Sequence, residues 1–267
     1  MRGRWPMSGR SFAALLAVAL LAVASVLLAR EMRTSNYQAR FFSGLAARAS
    51  FSPGPGPSPS IRFPQRAPYD DRLGYSELPI FIDKLKARDF EITQQARLSE
   101  GMAEIVDAGY FAPYVEKTEA GLSIVDCHNN RLFQELYPKR VFARFEDIPP
   151  ILVESLLFIE NRDLLDPDQP KRNPAVEWDR LANAVLLRAK GFLTGEAHTP
   201  GGSTLATQIE KYRHSSEGRT SSASEKLKQM ASGALRAYMQ GEDTSMVRRQ
   251  IVLGYLNTMP LSAKAGC

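Results

Sequence analysis

Apolar residues are spread unevenly along this chain, and their spacing changes character from one stretch to the next. From Phe12 to Ala29 they run almost unbroken, interrupted only by Ser25, so that as a helix the stretch spans about 27 Å. A second dense run, Ile151 to Ile159, follows Pro149 and Pro150, residues suited to a helix start. Beyond it the pattern becomes amphipathic. Leu205, Ile209 and Tyr212 share one helical face, and Thr204, Gln208 and Lys211 share the neighbouring one. Leu227, Ala231, Ala234 and Tyr238 form an apolar stripe, with Lys226, Gln229 and Arg236 on the opposite side.

The segments between are of other kinds. Phe51 to Pro68 is rich in Pro, Ser and Gly and reads as an extended spacer. Leu85 to Gly109 has a helical period interrupted near Phe90, and Gly121 to Leu136 alternates around His128-Asn129-Asn130, a good turn, which predicts a β-hairpin. The expected organisation is a cytoplasmic tail (1–10), a transmembrane signal-anchor (11–30), an extension and linker (31–68), a small α+β region (69–140) and a mainly α domain (141–267).

Charge supports export. Arg2, Arg4 and Arg10 precede the first apolar run while Arg30 and Arg33 follow it, a bias that keeps the N-terminus cytoplasmic and places the rest outside. Ala22-Val23-Ala24 resembles a cleavage site, but the run is longer than the usual signal-peptide core, which favours an uncleaved anchor. A net charge of +5 suits work at an anionic membrane surface. No helix-turn-helix, zinc-ligand pattern or basic-aromatic stripe points to nucleic acid. Cys127 and Cys267 read as free thiols.

The chemistry concentrates in GGSTLATQIEK, residues 201 to 211. Gly201 and Gly202 permit a sharp turn, Ser203 or Thr204 can cap the helix that follows, and the free N–H groups of its first turn, with Lys211, suit an anion. Upstream, Glu160 ends an apolar segment, where a carboxylate is disfavoured unless it has a partner or a task.

The segment GGSTLATQIEK resembles the GGSTITQQ-x-x-K motif of glycosyltransferase family 51, the peptidoglycan glycosyltransferases of class A penicillin-binding proteins and their monofunctional relatives. IPPILVESLLFIENRDLL resembles the family's first motif, EKLKQMASGALRAYM its third and RRQIVLGYLNTMP its fourth, in the family's order. The resemblance covers about residues 141 to 267 and implies a lysozyme-like, mainly α core that is incomplete at its C-terminal end. It implies that Glu160 is the base that deprotonates an acceptor sugar, with Gln229 at the position of a second catalytic carboxylate. Asn161, Gly201, Gly202, Ser203, Thr204, Gln208, Lys211, Lys226, Arg248 and Asn257 would bind substrate, Arg248 holding a diphosphate. The implied substrates are lipid II and a lipid-linked glycan chain, at the inner membrane on its periplasmic or extracellular face, with cell-wall synthesis proteins as partners. A divalent cation, Mg or Mn, is implied near Gln229, although an amide ligates hard cations less well than a carboxylate. Asn161, Gln229 and Leu253 stand where the family has acids. They keep a rival open, a catalytically impaired scaffold that binds glycan or lipid; a lysozyme-like lytic enzyme is a further rival, which the basic phosphate-facing residues oppose.

Overall fold

Gly9–Thr34 forms one helix, α1, whose stretch Leu15–Thr34 has a mean hydropathy of 2.1 and no residue buried within the protein. Length and composition thus make it a candidate membrane span. The computed structural model describes residues 9–61, 67–139, 141–184, 187 and 202–259, and the fold is mainly α. After α1 come α2 (Asn36–Ala46), β1 (Phe51–Pro55), α3 (Pro68–Leu73), α4 (Leu78–Lys86), β2 (Gln94–Leu98), α5 (Glu100–Asp107), β3 (Ala120–Val125) and β4 (Arg131–Tyr137). The remaining helices are α6 (Pro150–Glu160), α7 (178–184), α8 (Leu205–His214), α9 (Ala223–Ala237) and α10 (Ser245–Thr258).

The junction of α1 with α2 is built tightly. Ser35 breaks the helix with a left-handed φ of 51°. Glu31, in the last turn of α1, accepts the N–H groups of Tyr37 and Gln38, each at 2.9 Å, and so fills donors that a helix start leaves unpaired. The buried Ser35 Oγ accepts the N–H of Asn173 at 3.1 Å. Ala39 then packs with Ala237, Tyr238 and Val247, which seats α2 against α9 and α10.

Two expectations for the chain before residue 140 change. Phe51–Pro55 is a strand, paired antiparallel with Gln94–Leu98, rather than wholly a spacer. Gly54 makes room for Arg97, whose Cγ would lie 2.6 Å from a Cβ there, and the Arg97 guanidinium reaches the Pro57 carbonyl at 2.8 Å. The interrupted helical period over 85–109 resolves into α4, β2 and α5, because Asp89 takes a φ of 62° after α4. The β3–β4 hairpin forms as the alternation predicts, turned by Asn129 at φ 64° and by Asp126, whose Oδ1 accepts the N–H groups of His128 and Asn130 at 2.8 Å.

The main core joins α6, α8 and α10 through Val153, Leu205, Ile209, Val252, Tyr255 and Leu256, with Ile148 and Leu164 from the flanking turns. Each such side chain fully withdrawn from water contributes about 1.5–3 kcal/mol. Val153 seats α6 in this core, with Leu156 and Leu157 partly buried against it.

Candidate active site

Thr204 starts α8 as its cap. Its Oγ1 accepts the Thr207 N–H at 3.3 Å, while Thr207 Oγ1 accepts the Thr204 N–H at 2.8 Å, a reciprocal pair that frees neither side chain for a ligand. Capping was expected of Thr204; its complete burial makes the role structural. Gly202 keeps close company with α7, a Cβ there lying 3.9 Å from Ala184 Cβ, an ordinary contact. Gly201 lies outside the described residues.

With α8 so placed, Gln208 and Lys211 fall one turn apart on one face. Gln208 Nε2 donates to Glu160 Oε2 at 2.9 Å, and Gln208 Oε1 accepts the Tyr255 hydroxyl at 3.3 Å. The carboxylate that the sequence left without a partner is therefore oriented by an amide, itself oriented by a phenol. Tyr255, which the helical pattern assigns to packing, was missed as a polar member. Burial and then the charge of Glu160 push its phenol above the ordinary range, so it stays a donor at neutral pH.

The other half of the patch is cationic. Lys226 Nζ, on the first turns of α9, donates to Ser203 Oγ at 2.5 Å. Burial, and after it the charge of Lys211, hold the Lys226 ammonium below its usual pKa. The Lys211 ammonium has no hydrogen bond or ion pair with any described residue. Two ammonium groups thus repel one another with no carboxylate between them among the described residues, an arrangement that an anion would relieve.

Four predicted residues lie elsewhere in function or place. Gln229 is wholly buried, its Nε2 donating to Ser215 Oγ at 2.9 Å and its Oε1 accepting Thr220 Oγ1 at 3.0 Å. Both amide functions are thus spent on tying the 215–220 loop to α9. Arg248 is also buried, against the expectation that it holds a diphosphate. Its guanidinium donates to the carbonyls of Leu164 at 2.7 Å and Asp166 at 3.1 Å, and so supports the loop after α6. Asn257 exchanges both amide functions with the backbone of Phe142, each at 2.9 Å. Asn161 ends α6 through its N–H to the Leu157 carbonyl, and its buried Oδ1 has no partner among the described residues. The donors present do not fit a divalent cation: the patch is doubly cationic, Gln229 is occupied, and no cluster of three His, Cys, Asp or Glu occurs among the described residues.

Behind α8 lies a second, denser set of charges. Glu116 accepts Arg213 NH1 at 2.6 Å and His214 Nε2 at 3.0 Å, and Glu210 accepts Arg236 Nε at 2.7 Å. Burial alone would favour protonated Glu116, but the His214 hydrogen bond and the charges of Arg236 and Arg213 hold it well below the ordinary range. Arg236 also donates to the carbonyls of Tyr114 and Ala112. Residues 110–118 therefore run as a strap across the back of α8 and α9. Spacing along the chain gave no sign of it.

A family model described as Transglycosylase matches residues 129–266. No curated protein and no solved structure matches the chain.

Proposed function

Because the chain belongs to the transglycosylase family, glycosyltransferase family 51, we propose that it is a membrane-anchored peptidoglycan glycosyltransferase. It would polymerise lipid II into glycan strands with release of polyprenyl pyrophosphate. The observation that carries this reading is the pairing of an oriented carboxylate, Glu160 held by Gln208, with two ammonium groups, Lys211 and Lys226, that have no acid between them.

Each part has a task in a single displacement. The Glu160 carboxylate accepts the proton of the acceptor sugar's 4-hydroxyl, and the oxygen so activated attacks the anomeric carbon of the donor. The bond from that carbon to the pyrophosphate breaks, its electron pair leaves with the phosphate, and the anomeric centre inverts. Lys211 and Lys226 meet the negative charge that grows on the leaving group, a stabilisation larger in the transition state than in the bound ground state. Gln208 and Tyr255 hold the carboxylate oxygen in place. The apolar α1 keeps the domain at the bilayer that supplies both lipid substrates.

Polymerisation of lipid II by the full chain in detergent, followed by gel separation of glycan strands, tests the proposal. The native chain yields polymer and Glu160→Gln does not; equal polymer from both removes Glu160 as the base.

A second reading is favoured by the buried amides Asn161 and Gln229, which stand where the family has acids. In it the patch binds the lipid-linked diphosphate without turnover. Retention of lipid II by a chain that forms no polymer under any condition would select this reading over the first.

A further inference from the structure

A groove of about 710 Å³ lies between the end of α1 and the loop that follows α6. Ala29, Met32 and Arg33 form one wall, at the end of the stretch apolar enough to cross a membrane. The facing wall carries Arg162, Arg172 and Arg180 and the acids Asp163, Glu177 and Asp179, with Phe158 and Trp178. Arg180 is paired with Glu177 at 2.8 Å and Arg172 with Asp163 at 3.8 Å. Arg33 and Arg162 have no acid partner among the described residues. Arg162 lies over the Phe158 ring at 4.1 Å, and the buried indole nitrogen of Trp178 has no hydrogen-bond partner among the described residues. Beside them Phe158 is 64% exposed and Ile159 70%, an apolar surface continuous with the groove.

Unpaired guanidinium groups, an unused indole donor and exposed apolar side chains meet where the candidate span ends. A lipid phosphate needs all three together: charge and donors for the headgroup, apolar surface for the first carbons of its chains. We infer that this groove holds the headgroup of an anionic phospholipid of the surrounding bilayer, wedged between the anchor and the catalytic domain. The inference rests on the membrane-anchored reading of α1. A lipid-linked diphosphate substrate carries the same phosphate chemistry, so the site is distinguished from the α8 patch by its residues.

The full chain, delipidated in detergent, is titrated with phosphatidylglycerol and with phosphatidylcholine, and bound lipid is counted by native mass spectrometry. Phosphatidylglycerol is expected to bind with about a 25-fold preference, which Arg33→Gln with Arg162→Gln abolishes, since each basic residue near an anionic surface contributes about fivefold. Lys211→Ala should leave the preference intact. Both arginines are exposed, and an unchanged circular dichroism spectrum confirms that the double variant folds. Equal binding of the two lipids, a preference that survives the double variant, or one lost with Lys211→Ala overturns the inference. Flotation with phosphatidylcholine vesicles separates the two readings. A chain that floats yet shows no preference loses only the headgroup site, whereas one that does not float loses the anchor and the headgroup site together.

Discussion

The two sides of α8 treat charge in opposite ways. On its back, Glu210, Arg213 and His214 are closed into pairs with Arg236 and Glu116, each of the two glutamates with a base within hydrogen-bond reach. On its front, Lys211 and Lys226 repel one another without an acid partner among the described residues, and the carboxylate of Glu160 is held by a neutral amide. Buried charge that is fully paired holds a structure together; charge left unpaired in a half-buried patch weakens it and is kept for a ligand. The ten residues of one helix thus divide between fastening and function.

The comparison can be broken at either side. The largest effect is expected at Glu160: replacement by Gln should lower polymerisation about 10²- to 10⁴-fold, the range of general base catalysis, with thermal unfolding unchanged. A comparable loss of unfolding temperature would mean that Glu160 holds the fold and not the chemistry. Next comes the back, where Glu210→Gln leaves the Arg236 guanidinium buried without its acid and should cost about 3–5 kcal/mol in denaturant unfolding. Replacing both partners, Glu210→Leu with Arg236→Met, should recover much of that loss; a double variant no better than the single one would argue against a paired charge as the cause.

Lys211→Ala sharpens the contrast, since it should reduce turnover by about 10- to 100-fold while stability holds or rises, the repulsion on Lys226 being relieved. A smaller effect is expected from Tyr255→Phe. It removes one hydrogen bond to Gln208 and should cost about 0.5–1.5 kcal/mol in activation free energy, read from kcat/KM.

A further test concerns pH at the back of α8. Asp70 is pushed up to about 6, chiefly by burial, while the Ala67 N–H and the charge of His214 act the other way. A carboxyl whose folded pKa is raised stabilises the fold fully below its unfolded value of 3.8 and loses that contribution as pH rises through about 6. Asp70→Asn should therefore flatten the stability profile between those limits. Profiles that run parallel for the two proteins would show that Asp70 does not titrate in that window. Glu116 works in the opposite sense: its lowered pKa gives stability above its unfolded value that is lost on acidification.

Of the front of α8, Gln208 and Lys211 were legible in the sequence because they stand at helical spacing on one face, whereas Tyr255, remote along the chain, was not. Helix α6 was legible for a similar reason, two prolines before an apolar run. The back was not. Arg213 meets Glu116 across 97 positions, and no local period records a pairing of that kind. The same holds for Gln229, Arg248 and Asn257, whose polar groups satisfy backbone or hydroxyls in loops remote along the chain. The family resemblance implied substrate or catalytic roles for them, and residue type could not correct it, because a buried amide or guanidinium carries the same groups whether it binds a substrate or a carbonyl.

The junction at Ser35 sets a rule of counting for any redesign of the N-terminal segment. Before Leu27 the chain can be swapped for another greasy sequence of similar length, because none of its described side chains is buried or lines a cavity with the domain. From Glu31 to Gln38 the spelling is fixed by number as well as by type. One residue inserted between Glu31 and Ser35 would turn the upstream helix by about 100° and lift it by about 1.5 Å, carrying the carboxylate off the start of α2. Fusions and domain exchanges should therefore be spliced upstream of Leu27.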